Sequence, residues 1–292
     1  MSRIALVLGL VVALAAGIAA QRTAAGKSFL WKIQSRTGAL FLAGSIHALT
    51  PDAYPLGPAY QAAFDASGTL VEEIDLAEAN PLTAAPALLS KGMYQDGRTF
   101  DGSVSRETAT LVADRLKGIP LVMNLIQPMK PWMVMLLLEA LSAQAAGLDP
   151  QLGLDKHFYD MATRTGKAVI GLETAESQMD RFDRMPDALQ EKLLVSELME
   201  LETERTSLRG LVAAWKSGDA ASVEAQLLTG FRETPEAYAS LVSERNRNWM
   251  PQLEACMARA SPCFVVVGAA HLVGPDGLLA MLRARGYSVE QQ

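Results

Sequence analysis

The sequence predicts an α/β (α+β) fold in which a central mixed sheet, assembled from the N- and C-terminal parts of the chain, packs against a large helical region. Three observations carry this. Short apolar runs bounded by turn residues cluster before residue 75 and return near 170 and 265. The long stretch between them has helical periodicity. No low-complexity tract marks a linker, so no domain boundary shows within the body of the chain.

Taken in order, Phe29–Gln34 and Ala39–Ala43 flank Ser35-Arg36-Thr37-Gly38 and read as a β-hairpin. Further strands are expected at Thr69–Asp75, Lys167–Glu173 and Cys263–Val267, with Tyr287–Glu290 closing the chain. Helices are expected over Ser103–Lys117, with Ser103 as its cap, then over Pro131–Ala146 and Asp155–Thr165. Pro186–Trp215 is one long helix or two, and Asp219–Leu228 follows. Thr234 is placed as an N-cap with Pro235 at the first helical position, opening a helix to about Arg259. Asp276 is expected to cap a last helix that Gly286 stops. The Met-rich stretch Met129–Leu138 reads as core, with a flexible ligand groove as the alternative.

The first twenty residues stand apart. Arg3 precedes an apolar run from Ile4 to Leu14, then small residues to Ala20, the pattern of a secretory signal peptide. An uncleaved membrane anchor is the other reading, giving possible membrane association through residues 1–20. Either way the protein is expected to be exported, periplasmic or secreted. Half of the chain is hydrophobic, a fifth is charged, and the net charge is −6. With no basic stripe, nucleic acid is excluded as the expected partner. Cys256 and Cys263 are the two cysteines. An exported chain lets them pair as a small-loop disulfide, and two buried thiols are the alternative. They form a poor metal site, because no further cysteine completes a thiolate set.

The chemistry centres on a repeated frame. The chain has three histidines, and two of them share it. Gly44-Ser45-Ile46-His47-Ala48-Leu49-Thr50-Pro51-Asp52 follows LFLA, and Gly268-Ala269-Ala270-His271-Leu272-Val273-Gly274-Pro275-Asp276 follows FVVV. Both read apolar strand, then G-x-x-H-x-x-x-P-D. Such a frame projects a histidine from just beyond the carboxyl end of a strand, where open α/β sheets bind their ligands. The third strand ends in Glu72-Glu73-Ile74-Asp75 and the fourth in Glu173. Carboxylates embedded in apolar strands are costly unless paired or metal-bound, although Glu73 and Glu173 also suit exposed strand ends. Two imidazoles and a carboxylate suit a divalent ion such as Zn, Mn or Co. His157 lacks the frame and is not expected to be a ligand. Asp155 beside it is explained by an N-cap.

These residues resemble the TraB/GumN family, which includes the Tiki proteins. Its hallmark is two GxxH motifs near opposite ends of a domain with an acidic residue between them. Here they are GSIH (44–47) and GAAHLVGPDGLL (268–279), with VEEID (71–75) between, where Glu73 matches best. GLDKHF (153–158) resembles the G-x-D element and points to Asp155. GLETAESQ (171–178) resembles the LE-x-x-x-Q element and points to Glu173 and Gln178. AWKSGD (214–219) and ERNRNW (244–249) match two more elements. The resemblance covers residues 29–290.

It implies a fold akin to the erythromycin esterase and ChaN-like proteins and, from the Tiki branch, metal-dependent protease activity. The expected function is therefore an exported metal-dependent hydrolase acting on a peptide or small-molecule amide or ester. His47, Glu73 and His271 are the expected metal ligands. Glu173 or Glu73 is the expected general base, and Arg245 or Asn246 the group that stabilises the oxyanion or orients substrate. For Arg245 a plain salt bridge is the alternative. ChaN-like relatives bind haem, so a haem- or metal-binding interaction protein without catalysis is the alternative function.

Overall fold

The computed structural model describes residues 26–77, 81–117, 120–203 and 207–292. The expected signal peptide or anchor, residues 1–20, lies outside them. Six strands form one mixed sheet: β1 (Leu30–Gln34), β2 (Ala39–Ser45), β3 (Thr69–Glu72), β4 (Ala168–Gly171), β5 (Cys263–Gly268) and β6 (Ser288–Gln291). Their spatial order is β4-β3-β5-β2-β1-β6. β1 and β2 form the expected hairpin, paired from Leu30↔Ala43 to Gln34↔Ala39. Ser35 builds its turn, its hydroxyl accepting from the backbone N–H groups of Thr37 and Gly38.

The four strands from β4 to β2 run parallel. Every residue of β5 is buried, as a central strand covered on both faces requires. The two strands carrying the G-x-x-H frames are therefore neighbours that finish at the same edge of the sheet. Their register is staggered by one, with Gly44 opposite Val267 and Ser45 opposite Gly268.

Two expected strands are shorter than the apolar pattern suggests. β3 ends at Glu72 and β4 at Gly171, because the backbone bends there. Pairing continues beyond them: Leu172 N–H donates to Glu72 O at 2.8 Å, and Glu173 N–H donates to Glu73 O at 2.9 Å. Glu73 and Glu173 thus leave the sheet side by side.

The helices are α1 (Pro58–Asp65), α2 (Pro81–Gly92), α3 (Phe100–Ser103), α4 (Arg106–Arg115), α5 (Pro120–Ile126), α6 (Pro131–Ala145) and α7 (Leu154–Thr165). After β4 come α8 (Ala175–Asp183), α9 (Asp187–Thr203), α10 (Ser207–Lys216), α11 (Ala220–Leu227), α12 (Pro235–Tyr238), α13 (Glu244–Met257) and α14 (Leu278–Ala284). The helix expected from Ser103 is split. Ser105, not Ser103, caps α4 by accepting from Thr108 N–H. Asp276 does not cap α14, whose N-cap is Gly277; its carboxylate instead accepts from the Ser243 hydroxyl. Thr234 opens α12 without a side-chain cap bond, and a π-helical turn over Ala239–Ser243 joins α12 to α13.

Two cores result. One lies on the sheet, where Phe64, Phe158 and Phe264 meet. The other lies within the helical region, around Phe100, Ile126, Leu138 and Leu194. Cys256 near the end of α13 is disulfide-bonded to Cys263 at the start of β5, with Cα atoms 5.8 Å apart. Among the described residues no helix is long and apolar enough to cross a membrane.

Candidate functional site

A cleft of about 430 Å³ opens where the carboxyl ends of β2, β3 and β5 meet the helical region. His47, Glu73, Arg245 and His271 line one part of it. Gly268 sits between them and leaves open space that a side chain would fill. A Cβ there would lie 3.1 Å from Glu73 Oε1, 3.5 Å from His47 Nε2 and 3.6 Å from His271 Cδ2. The glycine of the second frame thus makes the space on which both histidines and the acidic residue converge.

Glu73 is held from both sides. Oε1 accepts from Gly268 N–H at 2.6 Å, and Oε2 accepts from Gln178 Nε2 at 3.0 Å and from Arg245 Nη2. Burial pushes this carboxyl up, but Arg245, the two imidazoles and the Gly268 N–H outweigh it and hold Glu73 down at about 2. It is an anion at any physiological pH.

His271 is buried, 5% exposed. Asn246 fixes its ring. Asn246 Nδ2 donates to the carbonyl oxygens of His271 and Asp276 at 3.1 and 2.8 Å, which leaves Oδ1 to accept from His271 Nδ1–H at 2.8 Å. The lone pair therefore resides on Nε2. It accepts from Arg245 Nη1 at 2.9 Å and lies 3.9 Å from Glu73 Oε1. Burial, with Arg245 and His47 nearby, pulls His271 down to about 3 against the pull of Glu73, so the ring is neutral.

His47 differs, although its sequence frame is the same. The second frame folds into a 3-10 turn that buries His271, whereas the first leaves His47 with a 65% exposed side chain. Its Nδ1 lies 3.4 Å from Asp155 Oδ2, and Asp155 Oδ1 accepts from the Ser45 hydroxyl at 2.8 Å. Desolvation in the cleft pulls His47 down, but Asp155, with help from Glu73 and Glu139, raises it to about 9. Asp155 is not the helix cap the sequence suggested, since Gly153 holds the N-cap position of α7 and Asp155 lies in its first turn, where its carboxylate faces Ser45 and His47. Gly153, two residues earlier, packs so closely on His47 O that a Cβ would come within 2.4 Å.

Arg245 occupies the centre. Its Nε donates to Glu173 Oε1 at 2.7 Å, Nη1 to Leu241 O at 3.1 Å and to His271, and Nη2 to Glu73. Nη2 also pairs with Glu173 Oε1 at 2.6 Å, and the guanidinium lies 4.7 Å over the Trp249 ring. With its N–H groups committed, Arg245 acts as a clamp, and the salt-bridge alternative describes it better than an oxyanion donor. Glu173 sits behind this clamp, paired with Arg245, and is not among the residues that line the cleft. Asn246 is fully buried and turned to His271, whose ring it orients. His157 packs its ring on Tyr54 and Phe158, away from the cleft.

Sequence reasoning missed Glu139 and named Glu72 only as part of a strand end. Glu139, directly after the apolar Trp132–Leu138 stretch of α6, lines the cleft and acts electrostatically on His47. A charge beside such a run was the signal. Glu72 is 2% exposed, and neither of its carboxyl oxygens has a hydrogen-bond partner. Burial, with Asp155, Asp75 and Glu73 adding to it, pushes Glu72 up to about 9, so it is a neutral acid.

The donor chemistry suits a divalent ion, and Gly268 supplies space beside His47 Nε2 and Glu73 Oε1. Yet among the described residues no three His, Cys, Asp or Glu side chains form a ready-made metal group. Arg245 Nη1 also holds the His271 lone pair that a third ligand would offer.

The model of the TraB/PrgY/gumN family matches residues 29–291. The uncharacterized protein YbaP of Escherichia coli (strain K12) is 26% identical over 246 residues, 83% of this chain and 87% of that protein. The YbaP protein of Shigella flexneri matches to the same extent. No solved structure matches the chain.

Proposed function

The chain belongs to the TraB/PrgY/gumN family, and we propose that it is an exported hydrolase that uses a divalent metal, Zn, Mn or Co, to cleave an amide or ester bond. The observation that carries this reading is the convergence of His47, Glu73 and His271 on the side-chain-free space at Gly268. His47 Nε2 and Glu73 Oε1 would hold the ion, and His271 Nε2 would join them once Arg245 Nη1 lets it go. Bound there, the ion would supply Lewis acidity toward a carbonyl oxygen and toward water.

The chain's own groups do the rest. Asp155 takes Nδ1 of His47 and so presents Nε2 to the cleft, as carboxylates behind metal-ligating histidines do. Asn246 does the same for His271. Gly268 N–H and Arg245 fix both oxygens of Glu73. Glu139 is placed for proton transfer: it lines the cleft, no Lys or Arg among the described residues pairs with it, and burial pushes its carboxyl up. Export is supported by the pattern of residues 1–20 and by the Cys256–Cys263 disulfide, a bond that persists in oxidising compartments.

The test uses the purified mature chain, stripped by a chelator and reloaded with Zn, Mn or Co, against mixed peptide and ester libraries. Activity should vanish on stripping and return with metal. Glu139→Gln should lower kcat by about 10²–10⁴-fold with metal still bound. Glu173→Gln, behind the clamp, should act mainly on stability. Metal-independent turnover, or a fully active Glu139→Gln, rejects the reading. A stripped protein that binds haem and hydrolyses nothing favours the binding-protein alternative.

A further inference from the structure

The cleft does not end at the polar cluster. Beyond His47 and Glu139 its wall is built from Met135, Leu148, Leu211, Leu227, Phe231 and Leu241, contributed mainly by the helical region. The Met-rich helix α6 serves both: Val134, Met135 and Leu138 are buried in the helical core, and Met135 and Leu136 also line the cleft. The polar side chains on this wall are turned to their neighbours. Ser142 accepts from Arg115 Nη2 at 3.1 Å, Ser196 donates to Gly230 O at 3.0 Å, and Gln226 donates to Ser222 O at 3.2 Å. Glu197, the other carboxylate there, also interacts within the protein.

A polypeptide entering this space would need partners for its backbone N–H and C=O groups. Helical walls offer few, since their own backbone groups are bonded within the helix. The sheet offers no edge either. β2, β3 and β5, whose ends form the cleft, are each paired on both sides, and the free edges are β4 and β6. A hydrocarbon chain makes no such demand and gains from burial. The volume, about 430 Å³, is that of a small-molecule site.

We propose that this apolar extension receives a linear acyl chain, so that the substrate is a fatty-acyl ester or amide with its carbonyl at the His47–Glu73 end. This rests on the hydrolase reading above and narrows its substrate. In the reaction, the oxygen of water bonds to the acyl carbon and the bond from that carbon to oxygen or nitrogen breaks. The alcohol or amine leaves carrying the proton, and a fatty acid remains.

Two measurements separate this proposal from the hydrolase reading. First, kcat/KM is measured on metal-loaded protein with p-nitrophenyl acetate, butyrate, octanoate and dodecanoate. It should rise by at least about tenfold from acetate to octanoate. Ala143 of α6 also lines the cleft, so Ala143→Phe, which adds a ring there, should collapse the octanoate-to-acetate ratio; Leu241→Phe repeats the test from another segment should the first variant fold poorly. Second, cis-parinaric acid fluorescence reports chain binding without catalysis. Wild type and His47→Ala should both bind it saturably, and Ala143→Phe should bind it several-fold more weakly. Saturable binding with no turnover of any substrate upholds the acyl-chain site and removes the hydrolase reading. Turnover that is flat with chain length, with no parinarate bound, overturns the acyl-chain site and leaves the hydrolase reading standing. So does cleavage confined to peptides.

Discussion

Asn246 sets the state of His271: its side-chain oxygen lies 2.8 Å from Nδ1, and its amide nitrogen bonds the carbonyl oxygen of the same histidine at 3.1 Å. One buried side chain thereby fixes the ring's tautomer and its position in the 3-10 turn. An asparagine in a helix interior carries a propensity cost, and this pair of bonds is what it returns.

Asn246→Ala should uncouple stability from activity in a measurable ratio. Leaving the His271 and Asp276 carbonyls and the Nδ1–H unpaired should cost about 1–3 kcal/mol in denaturant unfolding. Metal affinity and activity should fall about 10–100-fold, as for groups that orient a metal-binding histidine. Asn246→Asp can accept from Nδ1 but cannot donate to either carbonyl, so it should keep more activity than Ala while remaining unstable. An Asn246→Ala variant with full activity would show that the tautomer does not matter.

Much of this was legible in the chain. The hairpin, the sheet built from both ends, and the placing of two histidines at strand ends followed from apolar runs and one repeated frame; the adjacency of those two strands came from the sheet order. The frame could not reveal that its copies fold differently, because burial of His271 depends on Asn246 and Trp249, which arrive from α13. Arg245 and Glu173 carried the right residue types for a site. Their mutual pairing, which keeps Glu173 behind Arg245 and commits the guanidinium that lines the cleft, is a tertiary fact. Asp155 was explained away by a helix start, since a local role satisfied the local pattern. Glu139 was hidden for the opposite reason: the apolar run around it reads as core.

Glu72 provides a pH test. Its folded value of about 9 lies above that of an unfolded glutamate, so folding favours the protonated form. The stability it contributes is complete below about pH 4.3 and is lost as pH rises toward 9, at roughly 1.4 kcal/mol per pH unit. Glu72→Gln removes the ionisation and keeps the shape. Its Tm should match wild type near pH 4.5 and exceed it increasingly from pH 6 to 8.5. Parallel Tm profiles for the two proteins would mean that Glu72 is not held as a neutral acid.

The disulfide ties the end of α13 to the first residue of β5, the strand that ends in Gly268. Cys256→Ser/Cys263→Ser should lose about 2 kcal/mol of stability, the low end for so short a loop. Because the bond lies at the far end of β5 from the cleft, turnover at 25 °C should be retained. A stability loss under about 0.5 kcal/mol would show that the bond contributes little to folding.

The central claim is that His47 and His271 act through one divalent ion, and the direct measurement is metal content paired with turnover in His47→Ala, His271→Ala and the double variant. Each single variant, once shown to be folded by circular dichroism, should lose both bound metal and activity. The double variant should be little worse than either, since ligands of one ion fail as a unit. Full activity in the His47→Ala variant, or in wild type stripped of metal, would contradict the account.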